Sequence, residues 1–201
     1  MFEPFSQVFF SFLIIMNPFT SMVYFLGISK GFTHKDKTSA INSATIIAGA
    51  TLLVFLLIGP SLLSLLGVNV SSFQVAGGII LMVISIRFMI GARSLKSDEG
   101  SVSRDASIMI IGVPLITGPG VLTTTIMMVG AYGYFMTLIA SMAALAVVWM
   151  ILNLSETISR VIGRKGIEIS ARIMGLLLAA IAVEFIKKGI INIIQTAMAA
   201  S

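Results

Sequence analysis

Two short stretches hold the residues of this sequence that could do chemistry. Thr117-Gly118-Pro119-Gly120 interrupts an apolar run from Ile108 to Val129, and Asn17-Pro18-Phe19-Thr20-Ser21 interrupts another from Val8 to Ile28. Proline lacks an N–H and collides with the preceding turn, and glycine raises the cost of staying helical, so each stretch is expected to open. Pro114 adds a further break to the later run. Asn17 suits the N-cap of a new helix and Pro18 its first position. Opening would free the amides of Phe19, Thr20, Gly120 and Val121, whose dipoles favour a carboxylate. The carbonyls near Ile15, Met16, Ile116 and Thr117 would favour an ammonium. Thr20, Ser21, Thr123 and Thr124 add hydroxyls, and Gly118 and Gly120 let a small molecule approach the backbone closely. Two poles without a fixed charge suit a zwitterion. The competing readings are an ordinary proline kink and hydroxyls that bond back to their own helix.

Apolar helices must position these stretches. Of the 201 residues, 57% are hydrophobic and only 10% charged, with a mean hydropathy of +1.07; soluble domains carry roughly a quarter charged residues. A membrane span needs about 20 apolar residues. Six fit: Phe5 to Ile28, Ala40 to Ile58, Phe73 to Gly91, Ser107 to Val129, Tyr134 to Leu154 and Ala171 to Gln195. In hydrocarbon, opened backbone persists only when buried in protein or lining a polar cavity. A helix broken at mid-depth is therefore a candidate binding site.

The first span is expected to be retained, because Glu3, a central proline and the lack of a small-residue cleavage site do not fit a signal peptide. The net charge of +5 is arranged by loop. Lys30, Lys35 and Lys37 follow span one; Arg87, Arg93, Lys96 and Arg104 surround the third loop; Arg160, Arg164, Lys165 and Arg172 surround the fifth. The positive-inside rule makes these loops cytoplasmic and puts both termini outside, so the cations report topology and not nucleic acid. With no cysteine, disulfides, thiol nucleophiles and thiolate metal sites are excluded. His34 sits beside Lys35 in a loop, and no nucleophile, base and orienting group occur together, so an enzyme is not expected and no cofactor is implied.

Overlaying the halves brings out a repeat. An offset of 97 aligns Gly78 with Gly175, and an offset of 101 aligns Pro18 with Pro119. Each half has three spans with the break in its first, and an odd number inverts the second half. The expected fold is an all-α membrane protein of six transmembrane helices in two inverted three-helix repeats. Residues 1–91 and 107–201 form the repeats, a cytoplasmic linker covers 92–106, and helices one and four are broken. Paired interruptions in inverted halves point to a transporter site at the midplane. Glu184 is the one acid that could lie within the membrane, as carrier of a coupling proton or attractor of a cation. Lys187 and Lys188 follow it at helical spacing, which offers a local ion pair instead.

Four motifs together, Asn17-Pro18-Phe19, Ala76-Gly77-Gly78-Ile79-Ile80-Leu81, Pro114-Leu115-Ile116-Thr117-Gly118-Pro119-Gly120 and Arg172-Ile173-Met174-Gly175-Leu176, resemble the MarC family of prokaryotic membrane proteins, which includes SnatA-like neutral amino-acid transporters. The resemblance covers essentially the whole chain. It implies a multi-pass protein of the prokaryotic cytoplasmic membrane with a small neutral amino acid such as glycine or alanine as substrate. Carried over by position, the substrate region is Asn17, Pro18, Gly118, Pro119 and Gly120. The family often has aspartate in place of Asn17, a basic residue near Gln74 and an amide in place of Glu184, which leaves the coupling ion, proton or sodium, open.

The reading is a secondary transporter of small neutral amino acids working by alternating access. Its substrate contacts are Asn17, Pro18, Phe19, Thr20, Gly118, Pro119, Gly120 and Thr123, with Glu184 as the residue for ion coupling. Membrane lipid and a second copy of the chain are its further partners. Efflux of drugs or metabolites and a non-transporting membrane subunit are the alternatives.

Overall fold

The computed structural model describes residues 2–29, 31–90 and 116–200, and no strand occurs among them. The described helices are α1 (Phe2–Met16), α2 (Pro18–Ile28), α3 (His34–Leu65), α4 (Val70–Ile90), α5 (Pro119–Asn153) and α6 (Ser155–Ala200). Within α5 and α6 one residue each leaves helical space, Gly133 (φ 78°, ψ 168°) and Gly163 (φ 74°, ψ 163°). Both are therefore two rods joined at a glycine, the residue that enters this region without a Cβ clash. Among the described residues four stretches are long and apolar enough to cross a bilayer: Glu3–Ile28, His34–Leu65, Gly120–Asn153 and Lys165–Met198. A shorter apolar helix covers Val70–Ile86. The chain is an all-helical protein of membrane type. The expected linker 92–106, Pro114 and the start of span four lie outside the described residues.

The helix boundaries correct the sequence reading in three places. Span two does not stop at Gly59-Pro60 but runs to Leu65. Proline forfeits one backbone bond, and Gly59 holds the segment against α5: a methyl there would lie 2.7 Å from Ile126 Cγ1. The stop is Gly67 (φ 66°), where Gly67 N–H donates to the Ser64 carbonyl (3.1 Å) and Val68 N–H to that of Leu63 (2.9 Å). Spans four and five have no loop between them, since one glycine, Gly133, makes the turn. The basic segment before span six is helical from Ser155, interrupted only at Gly163.

Small residues set the packing. A methyl at Gly78 would lie 2.7 Å from Ile186 Cγ1 and 2.9 Å from the Ala182 carbonyl, and one at Gly189 would lie 2.8 Å from the Ser71 carbonyl. Numbers climb on α4 as they fall on α6, so the two run antiparallel with backbones in near contact, as small residues permit in membrane helices. Helix α1 packs on α5, α3 on α5, and α2 on both α5 and α6. Phe12, Met16, Phe25 and Leu81 are fully buried between them, while Ile46, Leu57, Phe135 and Leu176 face outward.

Polar contacts mark two ends. At one, the Tyr132 hydroxyl donates to Gln7 Oε1 (2.7 Å). At the other, Trp149 Nε1 donates to Asn42 Oδ1 (2.8 Å) and Lys37 Nζ pairs with Glu156 Oε1 (2.6 Å). The rod 134–153 separates them by about 30 Å, the thickness of a hydrocarbon core. The hydrogen bond and positive charge of Lys37 hold the Glu156 carboxyl below its ordinary range, with smaller help from Arg160 and His34. A depressed carboxylate stabilises above its unfolded pKa, and that contribution disappears as pH falls through the folded value. Glu156→Gln should therefore flatten the acid limb of stability in thermal melts between about pH 3 and 7. Because 38% of the Glu156 side chain is exposed, the loss at neutral pH should stay within about 1 kcal/mol.

Candidate functional site

Asn17 opens the first break. Its φ of 41° and ψ of 71° make it the one described residue besides glycine with positive φ, a conformation asparagine tolerates better than most. The α1 ladder closes with Asn17 N–H on the Ile14 carbonyl (3.2 Å), and α2 restarts at Pro18. Asn17 Oδ1 accepts from Thr20 N–H (3.2 Å), and the Asn17 carbonyl accepts from Ser21 N–H (3.2 Å). The sequence reading of N-cap and first helical position describes what forms.

The second stretch starts its helix on the same plan with a different cap, the residues just before 116 lying outside those described. Gly118 is extended (φ −60°, ψ 176°) and caps α5 without a side chain, Pro119 takes the first position, and the Gly118 carbonyl accepts from Val121 (2.9 Å) and Leu122 (3.2 Å). Thr20 and Val121 amides, expected to be free, are thus bound locally. Phe19 and Gly120, the second residue of each new helix, keep amides with no acceptor in their own helix.

The breaks face each other. A methyl at Gly120 would lie 3.3 Å from Ile15 Cγ2, so the start of α5 touches the end of α1. From the Gln7–Tyr132 contact, α1 runs about 15 Å to its break and α5 about 20 Å to its own start, about one-half to two-thirds of a 30 Å hydrocarbon layer. Leu81 of α4 fills the space a Gly120 side chain would need, and Thr123 fills that of Gly77.

Polar groups around the breaks are buried and only partly used. Asn17 is 2%, Thr20 4% and Ser21 0% exposed. Asn17 Nδ2, Thr20 Oγ1 and Ser21 Oγ have no hydrogen-bond partner, and only Thr45 Oγ1 shares that state among the described residues. Each such group costs about 1–3 kcal/mol unless something supplies a partner. Of the other hydroxyls, Thr124 bonds back to the Gly120 carbonyl (2.7 Å) and Thr125 to that of Val121 (2.8 Å). Thr117 and Thr123 are buried. Phe19 is half-buried against the core. Sequence reasoning passed over Leu81, whose place opposite Gly120 leaves no trace in spacing.

Glu184 lies apart from this cluster. Its carboxylate is exposed on α6 and pairs with Lys187 (2.5 Å) and Lys188 (3.5 Å). An open groove of about 680 Å³ occurs elsewhere, at the start of α3, lined by His34, Lys35, Thr38, Ser39, Asn42 and Ser43.

Known proteins similar to the chain carry the same membrane character. It is 30% identical over 195 residues to a UPF0056 membrane protein of Methanocaldococcus jannaschii, covering 92% of this chain and 95% of the relative. It is 31% identical over 186 residues to a UPF0056 membrane protein of Archaeoglobus fulgidus, with 88% and 87% covered. The UPF0056 membrane protein YvbG of Bacillus subtilis is 28% identical over 201 residues, with 94% and 95% covered. No solved structure matches. The family model described as MarC family integral membrane protein matches residues 2–194, and this chain, with its break at Asn17 and its apolar spans, belongs to that family.

Proposed function

We propose that the paired breaks bind a small neutral amino acid and that the protein is a secondary transporter moving it by alternating access. The observation that carries this reading is the cluster of unpartnered buried atoms, Asn17 Nδ2, Thr20 Oγ1 and Ser21 Oγ, beside two first-turn amides, Phe19 and Gly120. Neutral donors and helix N-termini suit a carboxylate, hydroxyl oxygens suit an ammonium, and a site without fixed charge suits a molecule carrying both. The inverted repeat belongs to the same proposal. It is supported by the shared build of the two breaks, by the antiparallel run of α1 against the first rod of α5, and by the antiparallel α4–α6 pair. The Glu184 carboxylate is already paired with Lys187 and Lys188 on an exposed face of α6, which favours a local ion pair over ion coupling there and leaves the coupled ion, proton or sodium, open.

Purified protein in liposomes should accumulate labelled glycine or alanine when a proton or sodium gradient is imposed. Vesicles that move neither solute under either gradient would exclude the reading and favour a non-transporting membrane subunit.

A further inference from the structure

Among the described residues, Leu81 of α4 is the side chain seated against Gly120 at the start of α5. Its Cδ2 lies where a side chain on Gly120 would begin, its Cγ is 3.1 Å from that point, and Ile15 closes the other side at 3.3 Å. One turn earlier α4 presents Gly77, covered by Thr123. At these two positions α4 turns a bulky aliphatic group, Leu81, and a bare glycine, Gly77, toward α5, and Leu81 is 1% exposed.

We infer that Leu81 is the residue that limits the size of the solute's side chain. The inference rests on the transport reading above. A carboxylate bound at the Gly120 amide puts the solute's α-carbon two bonds away and its side chain against the Leu81 isobutyl group. None of Asn17, Thr20, Ser21, Gly120 and Thr123 carries a charge, so discrimination among neutral amino acids at this site is a matter of volume. One methylene in an apolar pocket changes selectivity by roughly tenfold or more.

The test is uptake of glycine, alanine, valine and leucine by proteoliposomes holding wild-type protein, Leu81→Ala or Leu81→Phe. Leu81→Ala should raise leucine uptake relative to alanine by roughly tenfold, and Leu81→Phe should lower alanine relative to glycine by a similar factor. Leu81→Met, which conserves volume, should keep the wild-type profile. Should Leu81→Ala fail to fold, Leu81→Val replaces it, with a shift in the same direction expected. A profile that stays constant while all four rates fall together would overturn the role of Leu81 and leave transport intact. Wild-type vesicles that move none of the four would overturn both.

Discussion

Gly120→Ala should cut transport at least about tenfold while the protein still inserts and purifies as a folded species. The added methyl meets Leu81 Cδ2 and comes within 3.3 Å of Ile15 Cγ2, so it crowds the contact where the start of α5 meets α1 and α4. The atom it displaces is the end of a side chain, which can rotate. The cost of such overpacking is about 1–3 kcal/mol, within what a folded helical protein survives. Leu81→Ala made together with Gly120→Ala should relieve the clash. A double-mutant cycle read by thermal unfolding in detergent should show favourable coupling of about 1 kcal/mol or more. Additive effects would mean that the two residues do not touch in the membrane. Full uptake by Gly120→Ala would remove the site from this break.

Ser21→Ala and Thr20→Val should move stability and transport in opposite directions. Both hydroxyls are buried with no partner, so deleting one removes a desolvation cost and should stabilise by about 1 kcal/mol. The same change removes a hydrogen-bonding group from the solute, so uptake should fall at least several-fold. Residues retained only for packing would lose stability on truncation, and a fall in both quantities would count against a binding role. Asn17 separates shape from chemistry. Asn17→Gly keeps access to φ 41° but loses the cap on Thr20 and the free Nδ2, whereas Asn17→Ala loses both and adds strain. Lower transport in both variants, with greater instability in the alanine form, is the expected pattern.

Much of this was legible because helix ends obey local rules. Asn17-Pro18 announces a cap and a first turn, and the structure builds both. Gly118-Pro119 does the same without a cap side chain. Charge was a poorer guide to boundaries. Arg160 and Lys165 suggested a loop, yet they are helical, because long charged residues are good helix formers that report water and not irregular backbone. Gly59-Pro60 looked like a stop, but packing against Ile126 carries α3 through it, and Gly67 ends the helix by a left-handed cap. The free amides fell from four to two because each cap claims its own neighbours, Thr20 by Asn17 and Val121 by Gly118. That Leu81 and Ile15 meet Gly120 was invisible in the sequence, since which aliphatic residue meets a glycine on another helix depends on three-dimensional register.

The close seat of Gly78 and Gly189 has a mechanical meaning. Where a backbone rests on a backbone, neither helix can slide or roll without first lifting away, so α4 and α6 form a stiff plank. The seam between α4 and α5 is closed instead by two side chains dropped into glycine notches, Leu81 at Gly120 and Thr123 at Gly77. Any stress applied to the molecule is expected to part that seam before it bends the plank.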